Sequence, residues 1–304
     1  MEQQGSLISE PTSISFEFFP PRTEKGFTAL FNRVAEFEAL EPSFVSVTYG
    51  AGGTTRENTH ALVHQLVRET SLPTVPHLTC IGHTTEEIDQ ILERYAESEI
   101  YNILALRGDV PAEPSPGWTP EGDFPYAADL VRHIRRFGEK HGVRFGIGVA
   151  GFPEGHPDTP NSLKQMDHLK AKVDEGADWI CTQLFFANTT FLDWRERARL
   201  NQIEIPILAG IMPITSIEGL NKMAELAGGT VFPSPLLKAL ARCDGDKESV
   251  SEVGVHWATE QCRDLLDHEI DGIHFYTLNK SDATHRIHRA LGVKSSRSLR
   301  ESSE

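Results

Sequence analysis

Side chains able to exchange protons or bind polar groups stand at the ends of short apolar runs in this chain. In Ser15-Phe16-Glu17-Phe18-Phe19, period-two alternation places Ser15 and Glu17 on one face, with Phe16 and Phe18 on the other. The alternation thereby carries a carboxyl into the mouth of the fold, where it can donate a proton to a bound molecule. The same alternation gives His77 and Thr79 one face, Arg107 and Asp109 another, and Tyr276 a face shared with His274; Gln183 sits between Thr182 and Leu184. With Thr48, six runs deliver Glu, Thr, His, Arg with Asp, Gln and Tyr to one rim. That set suits proton supply and hydrogen bonding to a polar small molecule. Each member also has a plainer role open to it. Glu17 can pair with a neighbouring strand, His77 can be a satisfied core histidine, Arg107 and Asp109 can form a rim ion pair, and Gln183 can close a backbone hydrogen bond.

Other chemistries lack their residues. There is no HExxH and no tight His/carboxylate cluster, so no metal site is expected. No GxSxG elbow supports a serine nucleophile. Cys80, Cys181, Cys243 and Cys262 form no CxxC pair, and the first two lie in apolar runs as small core residues. Of the 304 residues, 29 are Lys or Arg and 44 Asp or Glu, a net charge of −15. This argues against nucleic acid or an anionic membrane surface as partner, since both select a positive field. No apolar run approaches the ~20 residues that span a bilayer, and no signal segment is evident, so a cytoplasmic protein is expected.

The elements that must position these residues alternate along the chain. Strand-like runs cover 14–19, 44–49, 74–80, 102–107, 144–150, 179–186, 206–211 and 272–278. Helix-like stretches cover 27–40, 57–69, 85–98, 126–140, 163–175, 190–200 and 216–227, with another around 252–268 and a last one after Ser281. Eight βα units predict an α/β fold of the (β/α)₈ barrel type in one domain, residues 14–292, between flexible tails 1–13 and 293–304. An open doubly wound sheet would carry GxGxxG after its first strand, where this chain has Pro20-Pro21. Residues 111–125, rich in Pro and Gly, read as a long rim loop. Gly50-Ala51-Gly52-Gly53 offers free N–H groups at a βα turn. Gly151-Phe152-Pro153-Glu154-Gly155-His156-Pro157 makes a stiffer loop on the same rim. Lys170 and Lys172, two apart on the following helix, face different ways, so only one can serve a ligand there.

Seven motifs in order carry a resemblance. Phe16-Glu17-Phe18-Phe19-Pro20-Pro21, Ser46-Val47-Thr48-Tyr49-Gly50-Ala51, Pro76-His77-Leu78-Thr79-Cys80, Leu104-Ala105-Leu106-Arg107-Gly108-Asp109, Phe152-Pro153-Glu154-Gly155-His156-Pro157, Thr182-Gln183-Leu184-Phe185-Phe186 and Phe275-Tyr276-Thr277-Leu278-Asn279 together resemble the methylenetetrahydrofolate reductase family. The resemblance spans about residues 14–292. It implies a (β/α)₈ barrel holding FAD noncovalently and passing a hydride from NADH or NADPH to methylenetetrahydrofolate.

By motif, the resemblance implies Glu17 as the general acid in opening the folate ring, and Asp109 beside flavin and pterin, stabilising the cationic iminium. It puts Thr48, Tyr49, Ala51, His77, Arg107, Gly108, Asp109, Tyr126, Ala127, Phe152, His156 and Lys172 at cofactor-binding positions. Gln183, Tyr276 and Lys280 fall on substrate-binding positions. Phe152 stands where a Tyr is common and keeps the stacking face without the hydroxyl. Lys280 stands where an Arg is common and keeps the charge without the bidentate fork. A homo-oligomer is expected, and so is the absence of the C-terminal regulatory domain of eukaryotic members. The rival readings are a flavin-free pterin-binding methyl-transfer barrel and a catalytically silent folate-barrel subunit.

Overall fold

A computed structural model describes residues 12–21, 23–50, 56–111, 119–227 and 229–301. Eight strands close into an all-parallel barrel in chain order: β1 (Ser13–Phe18), β2 (Phe44–Val47), β3 (Thr74–Thr79), β4 (Asn102–Leu106), β5 (Gly146–Gly151), β6 (Trp179–Thr182), β7 (Ile207–Ile211) and β8 (Gly272–Tyr276). The helices between and after them are α1 (Glu24–Glu38), α2 (Arg56–Glu69), α3 (Thr85–Glu97), α4 (Ala127–His141), α5 (Ser162–Asp174), α6 (Asn188–Leu200) and α7 (Ile217–Ala227). They continue as α8 (Ser234–Ala241), α9 (Lys247–Asp267), α10 (Asp282–Ala290) and α11 (Ser296–Glu301). The expected (β/α)₈ barrel is therefore the fold. Among the described residues no helix is long and apolar enough to cross a membrane.

Local chemistry sets the helix boundaries. The Thr84 side chain accepts from the Glu87 amide and Glu87 returns the bond to the Thr84 amide, a capping box that starts α3. Its apolar stripe, Ile88, Ile91, Leu92 and Tyr95, is buried as the spacing predicts. Thr23, Asn161 and Asp246 cap α1, α5 and α9 with side-chain oxygens. Gly142, at φ +68, ends α4 in the left-handed conformation that glycine adopts without strain.

Two apolar layers result from strand alternation. Ile14, Phe16, Phe18, Val45, Val47 and Leu78 point outward and pack with helix residues such as Leu30, Val34 and Phe37. Inside the barrel, Phe44, Val75, Leu104, Trp179, Cys181 and Leu208 form a separate apolar cluster. Trp179 fits because its neighbour across the β5–β6 ladder is Gly148, where a Cβ would lie 2.3 Å from the indole.

Several strands end earlier than the alternation predicts. β4 stops at Leu106, and Gly108, at φ +84, breaks the period-two pattern, so Arg107 and Asp109 lie beyond the strand and are both exposed. β6 stops at Thr182 rather than 186. β8 stops at Tyr276 because Leu278 and Asn279 both take positive φ. Helix α8 falls outside the helix-like stretches that the sequence predicts. The tail expected to be flexible from 293 instead carries α11, with Ser296 fully buried. The Ser296 amide donates to the Leu40 carbonyl (2.7 Å), and its hydroxyl lies 3.2 Å from His288 Nε2.

Candidate active site

Barrel closure brings β8 beside β1 in the register Ser15 to His274 and Glu17 to Tyr276, while β2 places Ser46 beside Glu17. The inward faces of these strands meet above the apolar interior cluster. Glu17 is 6% exposed and His274 1%. The Glu17 Oε2 atom lies 3.7 Å from His77 Nε2 and 4.0 Å from His274 Nε2. Both separations exceed a hydrogen bond, so the carboxyl is flanked by imidazoles without being locked to either. His274 is held from behind, its Nδ1 2.7 Å from the Ser15 hydroxyl, with the Ser46 hydroxyl 3.5 Å from Nε2. Burial pushes the His77 pKa down to about 4, against an opposing pull from the Glu17 charge, so His77 is neutral at pH 7. Its Nε2 has no hydrogen-bond partner among the described residues.

The chain leaving β8 fixes the end of β1. The Thr277 hydroxyl donates to the Glu17 carbonyl (2.7 Å). Asn279 accepts from the Phe19 amide (2.8 Å) and donates to the Phe19 carbonyl (2.9 Å). Glu17 is thus presented from a backbone clamped on its far side. Tyr276 donates its hydroxyl to the Thr182 carbonyl (2.7 Å), across space left by Gly210, where a Cβ would sit 2.9 Å from the ring. Burial, reinforced by nearby Cys181 and Glu17, raises the phenol pKa well above its usual value, so Tyr276 stays a donor. Lys280 lies exposed just beyond this clamp.

The other expected residues ring the mouth at different depths. Thr48 and Tyr49 follow β2, and the Tyr49 hydroxyl is 3.5 Å from His83 Nε2. Thr79, at the end of β3, is buried with its hydroxyl unpartnered among the described residues. Gly108 passes so close to Thr79 that a Cβ would approach its side chain to 2.7 Å. Tyr126 is exposed at the N-terminus of α4, followed by Ala127. Phe152 packs edge-on against His156 at 4.8 Å. Lys172 donates to the Ala150 carbonyl, with its ammonium 6.0 Å from the centre of the Phe152 ring. Burial pushes the Lys172 pKa down to about 8. Lys170 turns away to Asp174, so Lys172 is the lysine of the pair that faces the rim. Gln183 accepts the Leu184 amide (2.9 Å) on its own side-chain oxygen. Ala51 lies outside the described residues.

The structure thus gathers Glu17, His77 and Tyr276 tightly, with Thr48, Phe152, Lys172 and Gln183 around the mouth, and leaves Arg107, Asp109, Tyr126 and Lys280 on the exposed rim. Sequence reasoning missed the parts played by His274 and Asn279. His274 carried a signal, two residues before Tyr276 on the same face. Asn279 stood in a quoted motif without a role, because its clamp exists only once β8 closes on β1. The thiols of Cys80, Cys181 and Cys262 are pushed up by burial, as suits core residues rather than nucleophiles.

A closed eight-stranded parallel barrel with ionisable side chains gathered toward its mouth defines a (β/α)₈ protein with a candidate site at the strand C-termini. Sequence comparison makes the assignment specific. The family description "Methylenetetrahydrofolate reductase" matches residues 3–292, and the chain belongs to that family. It is 41% identical over 301 residues to "Methylenetetrahydrofolate reductase (NADH) 1" of Arabidopsis thaliana, covering 95% of this chain and 50% of the relative. It is 36% identical over 294 residues to "5,10-methylenetetrahydrofolate reductase" of Escherichia coli (strain K12), covering 97% and 95%. The chain spans about half the length of the plant and yeast relatives it matches and most of the bacterial ones. A solved structure of a Clostridium thermocellum protein, described as binding two copies of 5-methyl-5,6,7,8-tetrahydrofolic acid, shares the fold at TM-score 0.63 and 15% identity, covering 94% of this chain and 95% of that one.

Proposed function

We propose that this chain is the catalytic barrel of a reductase that converts 5,10-methylenetetrahydrofolate to 5-methyltetrahydrofolate, with NADH or NADPH as reductant and FAD as hydride carrier. The observation that carries the reading is the buried Glu17 carboxyl, set between two imidazoles at the C-terminal mouth of a barrel of this family. A carboxyl in this setting supplies a proton to the folate nitrogen that departs when the methylene bridge opens. His274, braced by Ser15, and neutral His77 flank that carboxyl. Asp109 contributes negative charge toward the iminium, and Gln183 and Tyr276 orient the ring.

The residues present fit a flavin. His77 Nε2 and the Thr79 hydroxyl are buried without partners among the described residues, and Gly108 passes beside Thr79 with no side chain of its own. Thr48, His77, Arg107, Phe152, His156 and Lys172 would hold the group, with Lys172 and His156 toward its diphosphate. FAD, when bound, supplies the hydride store that no side chain provides. Lys172, its pKa pushed down to about 8 by burial, is still mostly a cation at pH 7, and a bound anion would hold it fully charged.

Anaerobic stopped-flow tests donor, carrier and acceptor together. Flavin absorbance should bleach with NADH or NADPH and return on adding methylenetetrahydrofolate. A colourless preparation that takes up no added FAD overturns the reading in favour of a flavin-free folate barrel.

A further inference from the structure

The loop after β5 carries a carboxylate with no part in the chemistry above. Glu154 Oε2 accepts the Val231 amide at 2.9 Å, tying this loop to the segment between α7 and α8, 77 positions away in sequence. Its other oxygen, Oε1, is buried and has no partner among the described residues. Burial raises the Glu154 pKa, opposed by the Val231 amide, as expected for a carboxyl half in and half out of a hydrogen-bonded site.

The segment Glu154 holds is anchored at few points. Val231 is 59% exposed and contributes little buried area. Phe232 packs on Phe186 with ring centres 4.9 Å apart. Gly229, at φ +128, and Pro233, where α8 begins, bound the segment with one permissive and one rigid residue. Beneath it lies a cavity of about 10 Å³, lined by Phe152, Gln183, Leu184, Gly229 and Thr230. That volume holds about one water and excludes a heteroaromatic ring. Gln183 is half-buried, and the gap between it and Gly229 and Thr230 is too narrow for a ring unless the 229–233 segment moves.

We propose that Glu154 is a latch: its carboxylate holds segment 229–233 across the barrel mouth, and its release admits a planar substrate ring to Gln183. The inference rests on the reading of this mouth as the site of the nicotinamide and folate reactions. Glu154 acts through the segment, so it is a positioning residue rather than a catalytic one.

Two measurements on the full chain test it. The first is amide hydrogen exchange, which does not depend on the reductase reading. In Glu154→Ala, exchange of the 229–233 peptide should rise about tenfold or more, with the barrel strands unchanged. In Glu154→Gln, which keeps an acceptor oxygen, protection should largely persist. Phe232→Ala, which loosens the other anchor and leaves the carboxylate intact, should raise exchange less. The second measurement is flavin reduction by NADH in the FAD-loaded protein. Glu154→Ala should raise the second-order constant at limiting NADH about three- to tenfold and leave the saturating rate within about twofold. Unchanged exchange in Glu154→Ala removes the latch. Raised exchange with an unchanged second-order constant, or a fall in the saturating rate alone, removes the gating role. A protein that binds no flavin fails the reductase reading while the exchange arm still decides the latch.

Discussion

The two halves of the barrel interior differ in kind. The arc formed by β8, β1, β2 and β3 turns His274, Glu17, Ser46 and His77 inward. The arc formed by β4 to β7 contributes Leu104, Trp179, Cys181 and Leu208, with Gly148 and Gly210 as the spaces between them, and these pack on Phe44 and Val75 at the start of β2 and β3. Burying an ionisable group is costly unless neighbours offset its desolvation, so such groups gather on one side. Even there the offset is incomplete, since His77 Nε2 and the Thr79 hydroxyl lack partners among the described residues. One arc is built for chemistry at the expense of stability, and the other supplies the packing that permits it.

Substitutions on the two arcs should therefore separate activity from stability. The largest effect is expected from Glu17→Gln. The folate half-reaction should fall ~10²–10⁴-fold, the range of a positioned general acid, while flavin reduction by NADH stays within about tenfold. If both half-reactions fall together in stopped-flow, Glu17 holds the flavin or the barrel instead. Asp109→Asn should slow the folate half-reaction by ~10²–10³, as for loss of one electrostatic stabiliser, with the melting temperature unchanged. An unchanged folate rate removes Asp109 from the mechanism.

The packing arc should respond the other way. Trp179→Ala is expected to cost about 3–5 kcal/mol in urea unfolding, because it empties the space that Gly148 leaves. A loss below 1 kcal/mol would show that the arc repacks and that the contrast is weaker than the side chains suggest.

pH distinguishes the arcs again. His77 has a folded pKa of about 4 against an ordinary 6.5, so between those values the unfolded chain binds the extra proton. Its contribution to stability is whole above about pH 6.5, falls as pH drops through the window, and is spent near pH 4. The size is on the order of 3 kcal/mol, and His77→Gln should flatten that part of the profile measured by denaturant midpoint. The smallest effect is expected at the rim, where Lys172→Ala should weaken FAD retention about tenfold, read as the flavin-to-protein absorbance ratio. Equal occupancy before and after would make Lys172 a support for the Ala150 carbonyl alone.

Much of this architecture was legible because its signals are local. Alternation in 15–19 turns Glu17 away from Phe16 and Phe18, and the Thr84 to Glu87 spacing is itself a local start signal for α3. The βα rhythm required only short-range periodicity to yield eight strands. Helix α11 escaped because a polar, serine-rich stretch carries no apolar stripe. Its order comes from the Leu40 carbonyl and His288, neither of which is near it in period or pattern. The strand ends at Leu106 and Tyr276 were overrun because positive φ at Gly108, Leu278 and Asn279 is a backbone state that residue type alone does not impose.

The sequence by itself determined which side chains face inward on each strand, since the two-residue period of an extended chain is a property of its own covalent geometry. It could not determine which inward faces meet. Ser15 and His274 are 259 positions apart and come within 2.7 Å because β8 closes on β1 in one register. Closure likewise aligns Asn279 with Phe19, and the folded mouth aligns Glu154 with Val231. Those pairings depend on strand stagger around the whole barrel and on helices packing outside it, a collective outcome of burial that no local run of residues encodes.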